Sequence, residues 1–291
     1  MPLPAGHRFP IEKYARLRDR VLADGTVPHI EEPPRVTMRD LARVHDAEYV
    51  EALVRGTLPD AALRRLGFPW SPGLVERSFR ATGGTLAAAQ GALADGIAMN
   101  LAGGTHHAFA DRGEGFCVFN DVAVAVRALQ AEGAITRAAI IDLDVHQGNG
   151  THAIFAGDDA VTTFSMHGAR NYPFHKVPGD LDIELADGTG DAEYLERLAV
   201  ALPEVLARAN ADLVCYLAGA DCHEGDRLGR LALTFDGLAR RDRLVFETCR
   251  AVGLPVCVVI AGGYGRNIDD TVTVHARTAR LAAACLHEGT T

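Results

Sequence analysis

No Cys-x-x-Cys pair occurs among the six cysteines of this 291-residue chain, Cys117, Cys215, Cys222, Cys249, Cys257 and Cys285. The pattern of a thiolate zinc site or a dithiol redox motif is therefore missing, and cysteines inside apolar runs such as "VCVVI" read as buried free thiols. A disulfide framework does not suit a chain this long and apolar. No stretch reaches the roughly 18 consecutive apolar residues of a spanning helix, and the opening "MPLPAGHRFP" has no apolar core of the secretory kind. The expectation is a soluble, cytoplasmic protein with no membrane partner. Long like-charge runs are absent too, and the formal net charge is −9. A nucleic-acid-binding surface is not expected, and a basic peptide or amine is the more natural partner. With no linker, repeat or low-complexity tail, residues 1–291 read as one domain. Nothing in the sequence sets an oligomeric state.

Short β-rich runs alternate with amphipathic segments rich in Ala and Leu. The runs are "AMNLAGG" (98–104), "AAIIDLDV" (138–145), "AVTTFSMH" (160–167), "DLVCYLAGA" (212–220) and "PVCVVIAGG" (255–263). Strands alternating with helices predict an α/β fold with a mostly parallel sheet covered on both faces. Predicted helices include "SFRATGGTLAAAQGALADG", "NDVAVAVRALQAEG" with Asn120 as N-cap and Gly133 as stop, and "FDGLARRDRLVFETCRAVG". Two more are "TVTVHARTARLAAACLH" and "DAEYLERLAVALPEVLARA", the second expected to bend or break at Pro203.

Ligands bind beyond the carboxyl ends of the strands in open parallel sheets. The polar residues of interest fall there: His106 and His107, Asp142 to His146, Asp221 and Tyr264. In "IDLDVHQGNG", residues Asp142, Asp144 and His146 recur with period two and share one face of an extended strand. Two carboxylates and an imidazole converging so closely call for a cation, unless the stretch is a solvated strand end. Asp221 is the candidate third ligand. Two Asp and one His leave an open position, as a catalytic Zn²⁺ site requires, and also suit Fe²⁺. "LAGGTHHAF" raises its own question, because consecutive side chains on a strand point apart; a turn at Gly103 and Gly104 would bring both rings to one cleft.

Five ordered motifs, "GGTHHAF", "GFCVFND", "IDLDVHQGNGT", "GADCHEGDRLG" and "GGYGRN", resemble those of the histone deacetylase and acetylpolyamine amidohydrolase family. The likeness spans nearly the whole chain and is greatest to the class IV branch and its bacterial relatives. It implies the arginase/deacetylase fold: three αβα layers around a sheet of about eight strands. It also implies that Asp144, His146 and Asp221 are the metal ligands, with His107 the general base and His106 its electrostatic partner. Tyr264 would bind the developing oxyanion, in a loop eased by Gly262, Gly263 and Gly265. Asp142 would orient His106 and, with Ser165 and the backbone of His146 and Met166, hold K⁺. Gly115 and Phe116 would line the substrate tunnel, with Tyr172 or Phe174 sought for its opposite wall. "GHRFP" and "PWSPG", with residues 1–35, would supply loops near its mouth.

Asn149 stands where many members carry an aspartate. An amide there lowers the basicity of His107, because no anion stabilises the imidazolium. The implied activity is removal of acetyl or longer acyl groups from lysine side chains of peptides or proteins, or from a small acylated amine such as an acetylpolyamine. The rival readings are a dimetal ureohydrolase, for which the D-x-H-x-D run is missing, and a non-catalytic acyl-lysine binding module.

Overall fold

Where the β-rich runs end, helices carry the chain back across the sheet, and the alternation seen in the sequence becomes three layers. The computed structural model describes residues 1–4, 6–27 and 29–287. Ala5 and Pro28 of the expected mouth loops, and residues 288–291 of the expected domain, lie outside the described residues. In chain order the elements are α1 (Glu12–Asp24), α2 (Met38–Leu41), α3 (Ala47–Arg55), α4 (Asp60–Leu66), α5 (Pro72–Asp95) and β1 (Ile97–Asn100). There follow α6 (Asp121–Ala131), β2 (Ala138–Asp142), α7 (Asn149–Phe155), β3 (Val161–Gly168) and β4 (Leu181–Leu185). Last come α8 (Asp191–Ala209), β5 (Leu213–Gly219), α9 (Phe235–Ala251), β6 (Val256–Ala261) and α10 (Ile268–His287).

The sheet order is β1-β6-β5-β2-β3-β4, and every pairing is parallel. Period-two alternation divides each central strand between two cores. Ala139 and Ile141, Val214 and Tyr216, and Val256 and Val258 pack with residues of α8, α9 and α10. Their neighbours Ala138 and Ile140, Leu213 and Cys215, and Cys257 and Val259 pack with α5 and α6. The α/β architecture is thus as expected, but the described sheet has six strands, not about eight. Among the described residues, those before β1 form helices and irregular segments, and none of them extends the sheet beyond β1. One of the six, β4, was not foreseen: "LDIEL" is a half-exposed edge strand whose acidic residues mask its pattern.

Three boundaries also differ from expectation. Helix α5 starts at Pro72, earlier than the apolar run indicates, because the Ser71 hydroxyl accepts the Leu74 amide and Pro72 fits the first turn. Helix α8 runs unbroken through Pro203, which sits on its solvent face, where the released carbonyl is not buried. Strand β2 stops at Asp142, so Asp144 and His146 belong to the loop beyond it. The backbone amides there turn to carboxylates: Asp144 donates to Asp142 (3.1 Å), Val145 to Asp221 (3.0 Å) and His146 to Asp144 (2.9 Å).

Behind this loop lies Arg241 of α9, the largest of the fully buried side chains. Its Nη1 donates to the carbonyls of Leu143 (3.2 Å) and Gly219 (2.6 Å), tying the ends of β2 and β5 together. Its Nε and Nη2 donate to Asp242 Oδ1 at 2.9 and 2.8 Å. Tyr216 and Thr278 complete the solvation of Asp242, each hydroxyl donating at 2.6 Å. Removing one member of a buried pair strands the other charge. The R241M variant is expected to lose about 3–5 kcal/mol in urea unfolding, and a loss below about 1 kcal/mol would show that Asp242 is satisfied without it.

Candidate active site

The paired histidines do share one cleft, and a carboxylate shapes the turn that brings them there. Gly103 and Gly104 take φ of 84° and 65°, and a side chain on Gly104 would collide with the Ile260 carbonyl of β6. Asp121, at the start of α6, accepts the Gly104 amide (3.1 Å), the Thr105 amide (2.7 Å) and the hydroxyls of Thr105 and Thr85 (both 2.5 Å). The rings of His106 and His107 then lie 4.1 Å apart, both buried.

The two rings differ in their partners. His106 Nδ1 meets Asp142 Oδ2 at 2.6 Å. Burial pulls its pKa down, but the charges of Asp142 and Asp144 outweigh that and raise it to about 9. His107 Nδ1 meets the side-chain oxygen of Asn149 at 2.7 Å, so no anion touches this ring. Burial, followed by the positive charges of His106 and His146, drives its pKa well below the ordinary histidine value. The carboxylates beside His106 favour its charged form and the burial of His107 its neutral form, a division suited to one acid and one base.

Opposite these rings Asp144, His146 and Asp221 bring one ligand atom each within 4.8 Å of one another, and all three are buried. His146 Nδ1 is 2.9 Å from Asp144 Oδ1 and 3.3 Å from Asp221 Oδ2. Asp144 Oδ2 and Asp221 Oδ2 have no hydrogen-bond partner, a costly state for buried carboxylate oxygens unless a cation takes them up. Gly262, at φ 54°, admits this cluster, since a Cβ there would overlap the Asp221 carboxylate. Without an ion, burial lowers the pKa of His146, but the two carboxylates raise it to about 10. Burial, joined by the charge of Asp221, lifts Asp144 to about 6. The donor set fits one zinc-type ion with an open position.

Tyr264 follows the glycine pair, and its backbone amide donates to Asp226 at 2.6 Å. Lys13 of α1, also buried, donates to the carbonyls of Gly262 and Gly263 and lies 5.4 Å from the Tyr264 ring centroid. Burial pushes the Tyr264 phenol well above its ordinary pKa, which keeps it a proton donor. Phe116 stands 6.0 Å from the Tyr264 ring and 5.5 Å from Phe9, so "GHRFP" does reach the site. In "PWSPG", Trp70 packs on Gly56, donates to Leu53 O and joins the hydrophobic cluster that also holds Phe116 and Tyr264. Gly115 lies against the His107 ring. Of the two candidates for the facing wall, Tyr172 is the inner one, 4.9 Å edge-on from His107, whereas Phe174 is 82% exposed. Cys117 is buried here and its thiol pKa is raised by burial, as packing rather than nucleophilic chemistry requires. Ser165 is the register partner of Asp142 and bonds His167 Nδ1 at 2.9 Å, and Met166 is buried beside it.

A family model, the histone deacetylase domain, matches residues 7–279. The chain belongs to the histone deacetylase family. It is 48% identical over 283 residues to an uncharacterized protein of Picosynechococcus sp., covering 97% of this chain and 94% of that one. It is 33% identical over 269 residues to histone deacetylase 2 of Arabidopsis thaliana, covering 89% and 70%. Among solved structures it resembles an HDAC homolog complexed with SAHA, with TM-score 0.81 and 24% identity over 97% of this chain and 80% of that one, a likeness of fold alone. Family membership makes the chain a hydrolase of the deacetylase class.

Five residues that shape this deacetylase site were not singled out in the sequence: Lys13, Glu114, Asp121, Asp226 and Arg241. Each is remote in sequence from the group it supports, and each acts on backbone or on a second side chain, which leaves no local pattern. Asp121 and Asp226 stood inside quoted motifs, "GFCVFND" and "GADCHEGDRLG", without a role assigned to either.

Zinc added to metal-free protein is expected to bind once per chain and to displace the proton on His146. Because that proton is held to about pH 10, binding should tighten as pH rises and weaken as it falls, with proton release measured by titration calorimetry in buffers of different ionisation heat. D221N should weaken binding by at least about a hundredfold, more than losses of outer partners elsewhere; unchanged affinity would remove Asp221 from the set.

Proposed function

We propose that this chain hydrolyses N-acyl groups from the amine of lysine side chains, through a zinc-type ion held by Asp144, His146 and Asp221. The observation that carries this reading is the pair of partnerless carboxylate oxygens on Asp144 and Asp221, aimed with His146 into a cleft that also holds two unequal imidazoles. The ion, when bound, supplies Lewis acidity toward the scissile carbonyl and acidifies a water.

The chain's own groups do the rest. His107, with Nδ1 committed to Asn149, presents Nε2 to take the proton of the attacking water. His106, held charged by Asp142, stabilises negative charge across the pair, and imidazolium returns a proton to the departing amine. Tyr264, kept protonated, donates to the oxygen on which charge develops. Tyr172, edge-on to His107, and Phe116, beside the Tyr264 ring, offer apolar walls to the stem of an acyl-lysine. A potassium ion beside Asp142, Ser165 and the backbone of His146 and Met166 belongs to the same reading.

A panel of acetyl-, propionyl-, medium- and long-chain acyl-lysine peptides, assayed beside acetylpolyamines on metal-loaded protein, tests this proposal. Turnover of acyl-lysine peptides is expected to exceed that of acetylpolyamines; the reverse order makes the substrate a small amine, and no turnover of any member rejects the hydrolase. Y264F should lower kcat by about 10²–10³-fold, the range for removal of one oxyanion donor, while metal content stays constant. Undiminished turnover would take Tyr264 out of the mechanism.

A further inference from the structure

Behind the His107–Asn149 pair lies a carboxylate that the reaction as described does not use. Glu114 Oε1 accepts the Asn149 side-chain amide at 3.1 Å and the Tyr172 hydroxyl at 2.5 Å, and Arg112 Nε approaches Oε2 at 3.4 Å. The Glu114 side chain is 12% exposed, and its backbone is fixed by the Cys117 amide, which donates to the Glu114 carbonyl at 2.9 Å. Burial, and then the bond to Glu114, raise the Tyr172 pKa, so its hydroxyl stays a donor.

A side-chain amide has two faces, one accepting and one donating, and either can meet a neutral imidazole. Carbonyl-first, it accepts a proton carried on Nδ1 and leaves Nε2 with a free lone pair. Turned over, it donates to Nδ1, and the ring proton must move to Nε2, where it blocks proton abstraction. An aspartate at this place would need no such control, because both of its oxygens accept. Asn149 creates the ambiguity, and an ionised Glu114, which only accepts, resolves it by claiming the amide's donating face.

We propose that Glu114, steadied by Tyr172, is a positioning residue that holds Asn149 carbonyl-first against His107 and so fixes the tautomer of the neutral ring. This rests on His107 being the base described above, but the tautomer is observable without any substrate. The electrostatic consequence runs in the same direction: the carboxylate polarises the amide, and the His107 ring receives part of the anionic influence that a direct aspartate would give.

Long-range ¹H–¹⁵N spectra of histidine-labelled protein read the tautomer, and steady-state kinetics of the metal-loaded enzyme read its effect. The wild-type ring should carry its proton on Nδ1. E114L should show Nε2–H character, with kcat lowered about tenfold or more and KM within about twofold, a partial form of the roughly 10⁴-fold cost of a wrong tautomer elsewhere. E114A is run in parallel, since alanine makes no demand on space. E114Q, whose side-chain oxygen still accepts from Asn149, should keep the tautomer and lose less. Adding N149D to E114L should recover most of the lost kcat, because a carboxylate has no wrong face. An Nδ1–H ring in both E114L and E114A, or a double variant no better than E114L, overturns the proposal. If E114L and E114A show the tautomer shift while the wild type hydrolyses no acylated amine, the function proposed above is overturned and not this assignment.

Discussion

Four buried carboxylates govern this structure, each no more than 2% exposed: Asp121 at the start of α6, and Asp142, Asp144 and Asp221 at the carboxyl ends of parallel strands or in the loops beyond them. A buried anion persists only with hydrogen bonds or positive charge around it. Asp121 is satisfied by two amides and two hydroxyls, and the histidine turn is the result. Asp142 divides its oxygens between the Asp144 amide and His106. Asp144 and Asp221 each have one oxygen held by neighbouring amides and the other left over. The same demand for partners that builds the loops therefore also defines where positive charge from outside can be accepted.

The scaffold meets this demand from behind as well as from the cleft. Arg241 contributes a guanidinium to the carbonyls of Leu143, one residue before Asp144, and Gly219, two residues before Asp221. Lys13 contributes an ammonium to the carbonyls of Gly262 and Gly263, immediately before Tyr264. Both cations reach across long stretches of sequence to backbone oxygens. Positioning of the reactive groups is thus shared by α1 and α9, elements with no reactive side chain of their own in the cleft.

How legible this was depended on the range of the interaction. Strands β2, β3, β5 and β6 were plain because burial on both faces enforces continuous apolar runs. The exposed edge strand β4 was not read, nor were α2, α3, α4 and α7, which at nine residues or fewer repeat a helical pattern too briefly; residues 12–24, expected within the mouth loops, instead form helix α1. Within the site, His106, His107, Asp142, Asp144, His146, Asp221 and Tyr264 stood out because polar residues at the ends of apolar runs are costly without a purpose; the structure brings the two imidazoles, Asp142 and the Asp144–His146–Asp221 cluster together, with the Gly262 backbone just before Tyr264 abutting Asp221. Period two was a sound guide to their common face although the strand stops at Asp142: Leu143 and Val145 stay in the core with Ile141 while the polar residues between them turn to the cleft. Glu114 was invisible for the opposite reason. Its significance arises only when residues 107, 114, 149 and 172 meet, and no spacing along the chain announces that meeting.

The strand order also bears on how the protein comes into being. Among the described residues, strand β1, which launches the histidine turn, pairs with β6 alone, Ile97 aligning with Val256, and β2 finds its inner neighbour in β5. During synthesis the turn and its glycine partners are consequently separated by most of the polypeptide, and the apolar edges of β1 and β2 must wait until the last third of the chain has left the ribosome. Such delayed, non-local closure slows folding and exposes sticky strand edges in the interval, so the arrangement that brings distant segments to the cleft also leaves the longest interval between the synthesis of its first strand and that strand's pairing.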